Sequence, residues 1–441
     1  MLVCLLASAA VHAAQIKEAP RILAPSETRL HHRIDDVSFT PSGGKLSRLS
    51  DYSGKAIVIA FTSPTCPVAL RYRPRLTELT ERFKGKVEFL IINSKADSNS
   101  AITAALLASS TTEVFLLDAA RTVLYRGAVD DQYGIGYQLE APRETYLVNA
   151  IEAFLAFRPI ATPATIAPGC AIESETPTRS TASPITFHSR ISRIIQYNCQ
   201  ECHRPGEPAP FNLLTYDDAK SHAKTIKRVV ERKIMPPWFA EGGDWANDRR
   251  LSDADRNDLL AWIAAGSPEG DPSHAPLART WETGWRIGKP DVVFEVPRPI
   301  KVAAQGTMPY QEVDILTGLP EDKWVKAVEI RTSQPQVTHH ILVFEVYPPD
   351  HPRDAKTRPN HLAGLAGYFA GMVPGQGHLF FPENTAKFLP KGAGLRFQIH
   401  YTPNGTACED KPKIGLLYAD APPRHEILTR SVATTKFLIP A

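Results

Sequence analysis

Short apolar runs and helix-like stretches alternate in the first third of the chain. The runs at 56–61 and 87–92 flank a stretch with helical spacing at 69–83, which predicts a β-α-β unit. An Ala-rich helical stretch follows, then two apolar runs at 114–117 and 123–129 and a helical stretch at 146–157. The pattern predicts an α/β domain with the order β-α-β-α-β-β-α.

In the middle of the chain, apolar residues recur with the spacing of an α-helix. Phe187, Ile191, Ile194 and Ile195 recur at the spacing of one buried helix face. Residues 219–234 continue with helical spacing before Pro236 and Pro237, and a third helix opens at Ser252 with Asp255 and ends before Gly266. This segment is predicted to be an all-α domain.

The last third of the chain reads as strands. The segments 324–330, 337–346, 395–401 and 414–418 are short, rich in Val, Ile and aromatic residues, and separated by turn residues. They predict an all-β sandwich.

Two stretches without apolar periodicity divide the chain. Residues 161–185 are dominated by Ala, Thr, Pro and Ser, and a second stretch near 266–290 is rich in Gly, Pro and Ser, so both are expected to be linkers. The expected organisation is a signal peptide (1–14), an α/β domain (15–160), a linker (161–185), an all-α domain (186–272), a second linker (273–292) and an all-β domain (293–441). The apolar residues 2–10, followed by small residues at a cleavage site, predict that the protein is exported.

Charge and length narrow the possible partners. The 441 residues include 50 basic and 47 acidic ones and contain no long basic block, which argues against a nucleic-acid partner. No apolar run after the N-terminus reaches about 18 residues, so no membrane span is expected. The isolated thiols Cys66, Cys170 and Cys408 do not form a disulfide framework.

The strongest chemical signal is the motif Cys199-Gln-Glu-Cys202-His203. Two thiols at this spacing can form thioethers with the two vinyl groups of one porphyrin edge, and the next His can bind the iron, so the motif predicts a covalent c-type haem. A thioether is a suitable second axial ligand, and Met235, at the end of the second predicted helix, is the candidate. Met235 as ordinary core filling is the alternative.

Two Cys two positions apart can also bind zinc. A second Cys pair is missing, and His188 and His222 lie at spacings that fit no usual zinc finger. The haem interpretation is therefore preferred.

Residues 187–270 contain the motifs Tyr-Asn-Cys-Gln-Glu-Cys-His-Arg-Pro-Gly-Glu, Met-Pro-Pro-Trp and Arg-Arg-Leu-Ser-Asp. With these motifs, the segment resembles the c-type cytochrome modules of exported multidomain proteins of environmental bacteria. In those proteins a thioredoxin-like domain precedes the haem module and a copper monooxygenase-like region follows it. The resemblance implies both neighbours here.

Cys66 follows the first predicted strand, where a thioredoxin fold places its reactive cysteine at a helix N-terminus, a position that favours the thiolate. The family pattern is Cys-x-x-Cys, but Ala69 occupies the second Cys position and Thr112 occupies the place of the usual cis-proline. Cys170 is a possible distant resolving thiol, although it falls in the expected linker. Thiol exchange or peroxide reduction at Cys66 and a purely structural role both stay open.

Three histidines form a candidate copper site. His339 and His340 lie within one predicted strand, and His400 ends another. Adjacent strand residues face opposite sides, so both can reach one metal only if the strand is bulged or twisted there. The alternative is one buried and one exposed His that bind no metal.

The segments around these histidines resemble the first domain of the copper type II, ascorbate-dependent monooxygenases, the class of peptidylglycine alpha-hydroxylating monooxygenase. The resemblance implies that His339, His340 and His400 hold one copper. The second copper of that class needs two His and one Met from a second domain; only His425 follows His400, and Met372 and His378 do not supply the site. This part of the chain is therefore expected to be the first half of such a protein.

Together these features predict an exported electron-transfer protein or oxidoreductase that carries one c-type haem and one copper and receives electrons from a redox partner protein or a small reductant. The alternative is a haem-bearing sensor or assembly protein whose thiol and copper sites no longer act in catalysis. A periplasmic thiol peroxidase with an attached haem is a third possibility, based on Cys66 alone.

Overall fold

A computed structural model describes residues 20–429, except for 24–27, 53, 55, 135, 173–184, 243–244, 246–247, 282, 349–350 and 352–366. The chain divides into two compact units. One contains the chain up to Cys199 together with Thr215–Thr280, and the other contains Gln200–Leu214 together with the chain from Trp281 onward. The expected signal peptide, 1–14, lies outside the described residues.

The first unit is built on a four-stranded sheet. Its strands and helices are β1 (Ser38–Phe39), β2 (Ser47–Arg48), β3 (Ala56–Thr62), α1 (Pro67–Arg82), β4 (Val87–Asn93), α2 (Ser100–Leu106), β5 (Val114–Leu117), β6 (Val123–Gly127), β7 (Tyr133–Gly134), β8 (Tyr137–Gln138) and α3 (Tyr146–Leu155). The sheet order is β4-β3-β5-β6, with β4 parallel to β3 and the other pairs antiparallel. The predicted β-α-β-α-β-β-α order is confirmed, and it is the arrangement of a thioredoxin-like fold.

Strand β3 separates two apolar cores. All seven of its residues are buried because helices cover both faces of the sheet. Val58 and Ala60 pack with residues of α1 and α3, whereas Ile57 and Ile59 pack with residues of α2. The alternation of side chains along one strand thus fixes which helix lies on which face.

Residues 161–172, assigned to a linker from their composition, lie against this sheet. Ala164 pairs with Arg126, and Ala171 pairs with Ser110. Ala164 and Thr165 are buried. Backbone hydrogen bonds to the sheet therefore order a segment whose side chains contribute little apolar area. The rest of the expected linker, 173–184, lies outside the described residues.

The helices of the predicted haem segment begin with a π-helical turn, Phe187–Ile191, and continue as α4 (Ser192–Asn198), α5 (Tyr216–Ser221), α6 (Ala223–Glu231) and α7 (Asp253–Ala264). They do not form a compact all-α unit of their own, because they cluster with the thioredoxin-like part and Gln200–Leu214 clusters with the second unit. Buried Arg193 explains much of this. Its guanidinium donates hydrogen bonds to the Thr122 hydroxyl at 3.0 Å and the Ala120 carbonyl at 3.2 Å.

The second unit is a β structure. Its strands are β9 (Val292–Glu295), β10 (Ile300–Val302), β11 (Gln311–Leu316), β12 (Lys323–Arg331), β13 (Thr338–Val346), β14 (Tyr368–Met372), β15 (His378–Phe380), β16 (Thr385–Leu389), β17 (Gly394–Tyr401), β18 (Cys408–Asp410), β19 (Lys413–Tyr418) and β20 (His425–Glu426). One sheet has the order β11-β17-β13-β14, and the other has the order β20-β16-β12-β19-β9. Both sheets contribute to one buried cluster, with Ile341 and Phe397 from the first and Val328 and Leu416 from the second.

Among the described residues, no helix is both long and apolar enough to cross a membrane.

The approach of residues 163–172 to the sheet can be tested at Gly127. A Cβ there would lie 2.6 Å from the Thr165 carbonyl oxygen, and Gly127 has a φ of +140°. We expect Gly127→Ala to lower the free energy of unfolding by about 2–4 kcal/mol, because both the clash and the backbone conformation disfavour a side chain. Urea unfolding followed by circular dichroism measures the change.

Gly44→Ala is the matched control. A Cβ at Gly44 meets Pro41 only at 3.4 Å, so the change should stay within about 1 kcal/mol. Equal effects of the two substitutions would contradict the close packing of this segment.

Candidate metal centre and thiol pair

A β-bulge brings the three histidines together. His340 is directly opposite His400, and Thr338 is opposite Tyr401, so two steps along β13 match one step along β17. His339 is the extra residue. Leu395, Phe397, Ile399 and Tyr401 of β17 are buried at alternate positions, which places His400 on the outer face of the sheet. The bulge allows both members of the His pair to reach that face.

The ring nitrogen atoms of the three histidines lie close to one another. One ring nitrogen from each His lies within 4.8 Å of the others. The Nδ1 atoms of His339 and His340 are 3.0 Å apart, and two ligands at about 2.0 Å from one metal lie roughly 2.8–3.4 Å apart at ordinary angles. The Nδ1 atom of His400 is buried and has no hydrogen-bond partner among the described residues. His339 and His340 are therefore spaced as two ligands of one metal ion would be, and His400 lies beside them.

Burial lowers the pKa of His340, and the neighbouring His339 and His400 lower it further. The neutral imidazole is the form that binds metals. The surroundings of His340 therefore favour the protonation state that coordination needs.

Tyr310 borders the cluster, and its role was not expected from the sequence. Its ring stacks on His400 with a centroid distance of 4.9 Å and lies 5.7 Å from the ring of His340. Its side chain is 53% exposed, so it covers one side of the cluster and also faces solvent. No motif marks this residue, because it comes from a loop about 30 residues before the His pair.

A buried carboxylate supports the strands that carry the histidines. Asp410 is fully buried and accepts hydrogen bonds from the hydroxyls of Tyr401 at 2.8 Å, Thr332 at 2.7 Å and Ser333 at 2.7 Å. Thr332 is in turn 2.9 Å from the hydroxyl of Thr338. Tyr401 is next to His400, and Thr338 is next to His339. Asp410 therefore holds the inner side of both strands whose outer side carries the candidate ligands.

The four candidate haem residues are divided between the two units. In the first unit, Cys199 directly follows α4 and donates its N–H to Ile195 at 2.8 Å. Met235 follows α6 and is 39% exposed, so it is not a buried core residue.

In the second unit, His203 lies in a closed loop. Its Nδ1 is 3.0 Å from the Phe211 carbonyl, and its own carbonyl accepts the Leu213 N–H at 2.9 Å. Donation from Nδ1 to that carbonyl leaves Nε2 as the nitrogen able to bind iron. Cys202 lies against Gly375, where a Cβ would come within 3.2 Å of its Sγ.

Cys66 is the N-cap residue of α1, and Pro67 occupies the first helical position. Cys66 is 1% exposed. The Sγ atom of Cys170 is 2.9 Å from that of Cys66. The sequence indicates Cys170 only as a distant candidate, because its neighbours have the composition of a flexible segment. The sequence signal that points to Cys170 as a partner of Cys66 is that it is an isolated thiol shortly after the α/β domain.

No family model and no curated protein matches the chain. Among solved structures, a hypothetical protein from Sinorhizobium meliloti 1021 is 22% identical, covers 36% of this chain and 99% of its own, and gives a TM-score of 0.31. The pneumococcal exposed lipoprotein thioredoxin from Streptococcus pneumoniae is 17% identical over 21% of this chain and 89% of its own, with a TM-score of 0.19. The peroxidoxin BcpB from Mycobacterium tuberculosis is 13% identical over 30% of this chain and 99% of its own, with a TM-score of 0.23. These neighbours resemble part of the chain only.

The carboxylate of Asp410 gives a testable prediction for stability. Asp410→Asn replaces an acceptor with a donor facing hydroxyl and N–H groups, so we expect the free energy of unfolding to fall by about 2–4 kcal/mol. Urea unfolding monitored by circular dichroism measures it.

Asp314→Asn, in strand β11 of the sheet that carries the histidines, is the control. Asp314 pairs with Arg396 at 2.7 Å, but its side chain is 62% exposed, so its loss should change stability by less than about 0.5 kcal/mol. A similar small effect of Asp410→Asn would show that the buried network does not stabilise the sheet.

Proposed function

We propose that this protein is an exported electron-transfer oxidoreductase that carries one covalent c-type haem and one copper ion. The observation that carries the proposal is the convergence of His339, His340 and His400 on one side of a bulged strand pair. Three neutral imidazoles form a donor set that suits copper. Export is proposed from the apolar N-terminal residues 2–10.

The haem part of the proposal rests on the spacing of Cys199, Cys202 and His203 and on the contact between His203 Nδ1 and Phe211. The two thiols would form the thioethers, and His203 Nε2 would bind the iron. Met235, which follows α6 and is exposed, is the proposed second axial ligand.

Bound copper would supply one-electron chemistry at the histidine cluster. The chain's own residues would position it: the bulge aligns two adjacent imidazoles, Asp410 holds both strands from the inner face, and Tyr310 covers one side. We propose that electrons pass from the haem toward the copper, with a redox partner protein or a small reductant as donor. Hydroxylation of a substrate would need the second copper site that the resemblance places in a further domain.

The competing function is a haem-bearing sensor or assembly protein without a working copper site. Measurement of haem iron and copper distinguishes the two functions, because only the electron-transfer protein needs a copper ion that the haem can reduce.

Copper and haem per chain are the first quantities to measure, on protein matured with cytochrome c assembly factors. We expect covalent haem with a Met-ligated visible band and about one copper per chain. His340→Ala and His400→Ala should each abolish tight copper binding, because two imidazoles remain. His425→Ala, an exposed His of β20 outside the cluster, is the control and should keep the copper.

Haem without copper in the unaltered protein would contradict the electron-transfer proposal and favour the sensor function. If His340→Ala and His400→Ala both keep their copper, the metal is bound at a site other than the histidine cluster.

Asp410→Asn should weaken copper binding about 10- to 100-fold, the range typical of residues that orient metal ligands. Isothermal titration with copper measures the affinity of the folded variant. Asp314→Asn should bind as the unaltered protein does. Unchanged affinity in Asp410→Asn would mean that the histidines hold their positions without the buried carboxylate.

A further inference from the structure

Cys66 and Cys170 form a pair at the position where a thioredoxin fold carries its reactive cysteine. Their sulfur atoms are 2.9 Å apart, within about an ångström of the disulfide bond length of roughly 2.05 Å. The partner that Ala69 cannot provide within the helix is supplied from 104 residues further along the chain.

The backbone around Cys170 is fixed by the loop before β5. The Thr111 N–H donates to the Cys170 carbonyl at 3.0 Å, and the Cys170 N–H donates to the Thr111 hydroxyl at 3.1 Å. The Ile172 N–H donates to Ser109 at 3.0 Å. Gly169 allows this approach, since a Cβ there would lie 2.4 Å from the Ser110 hydroxyl oxygen. Cys170 is thus positioned by the fold and is not a residue of a mobile tail.

The two thiols differ in access. Cys66 is 1% exposed, whereas Cys170 is exposed. A molecule that approaches from solvent therefore meets the sulfur of Cys170 first.

The two thiols also differ in acidity. Burial raises the pKa of Cys66, but hydrogen bonds from the Cys170 thiol, the Thr111 hydroxyl and the backbone N–H groups of Ala69 and Cys170 lower it to about 7. The hydrogen bond to Cys66 is the main cause that raises the pKa of Cys170. Cys66 is therefore the better leaving group of the pair, because the thiol with the lower pKa leaves faster.

We propose that Cys66 and Cys170 form a reversible disulfide that oxidises an external dithiol, and that the dithiol attacks the exposed sulfur of Cys170. This activity is independent of the proposed haem and copper sites. It also differs from the usual thioredoxin arrangement, in which the cysteine at the helix N-terminus is the one attacked.

The exchange balances in two steps. A thiolate of the dithiol bonds to Cys170 Sγ while the Cys66–Cys170 bond breaks and Cys66 leaves as a thiolate. The second thiol of the substrate, after losing its proton, attacks the substrate sulfur of the mixed disulfide and releases Cys170, which takes up a proton. Two electrons pass to the protein, and the substrate becomes a disulfide. Oxidised glutathione, a low-molecular-weight disulfide, can restore the protein disulfide by the reverse chemistry.

The test uses the full-length protein oxidised with oxidised glutathione and then exposed briefly to reduced glutathione as a monothiol probe. After an acid quench and alkylation, peptide mass spectrometry locates the products. We expect a Cys66–Cys170 disulfide before reduction, and afterwards glutathione on Cys170 with alkylated Cys66. Absence of the disulfide would overturn the pair, and glutathione on Cys66 instead would overturn the assigned direction of attack.

The rate of dithiol oxidation is measured with dithiothreitol and the same oxidised protein. Cys66→Ser and Cys170→Ser should each abolish it, whereas Cys408→Ser, a cysteine in strand β18 of the other unit, should leave it unchanged. Dithiol oxidation that survives in both site variants would assign the activity to other cysteines. Circular dichroism establishes that each variant is folded.

The thiolate of Cys66 can be titrated directly in the reduced protein. Absorbance near 240 nm should rise as the pH increases through about 7, because the thiol loses its proton there. The rise should disappear in Cys66→Ser and stay in Cys408→Ser. In Cys170→Ala it should move to higher pH, since a hydrogen-bond donor to the thiolate is lost. A midpoint unaffected by Cys170→Ala would contradict the contact between the two sulfurs.

Discussion

Pairing in a β-sheet sends neighbouring side chains to opposite faces, and the histidine cluster depends on one local exception to this rule. Without the extra residue in β13, His339 and His340 would lie on opposite sides of the sheet, and one of them would point into the apolar core. The bulge moves both imidazoles to the outer face. The alternation is kept on β17, where Tyr401 is buried and His400 faces outward.

That exception has to be stabilised from the inside. A bulge leaves a strand locally less well paired, and the polar groups beneath it need partners. Asp410 provides them, because its two carboxylate oxygens accept hydrogen bonds from three side-chain hydroxyls, one in β17 and two in the loop that leads into β13. Burial raises the pKa of Tyr401, so its phenol stays protonated and donates to this carboxylate. The same need for partners explains why Arg193 joins the helical segment to the thioredoxin-like part: a buried guanidinium requires the acceptors of the turn before β6.

Local patterns were sufficient for the features that depend on neighbours in sequence. The strand and helix order of the first unit, the strands around His340 and His400, and the need for a bulge all follow from periodicity. The features that the sequence did not predict depend on contacts between distant residues. Asp410 contacts Ser333, 77 residues away. The segment around Cys170, which has the composition of a linker, is ordered by backbone hydrogen bonds that composition does not encode. A segment poor in apolar residues can still be ordered when a sheet edge and close-approach glycines accept its backbone.

The proposed thiol and metal sites would differ in the number of electrons that they exchange. A dithiol and its disulfide interconvert in a two-electron step, whereas a haem or a copper ion changes by one electron at a time. Direct exchange between the proposed disulfide and a one-electron centre would pass through a sulfur radical, so dithiols are the better-matched substrates for the thiol pair. A reversible disulfide of this kind persists in an oxidising compartment, which agrees with the proposed export.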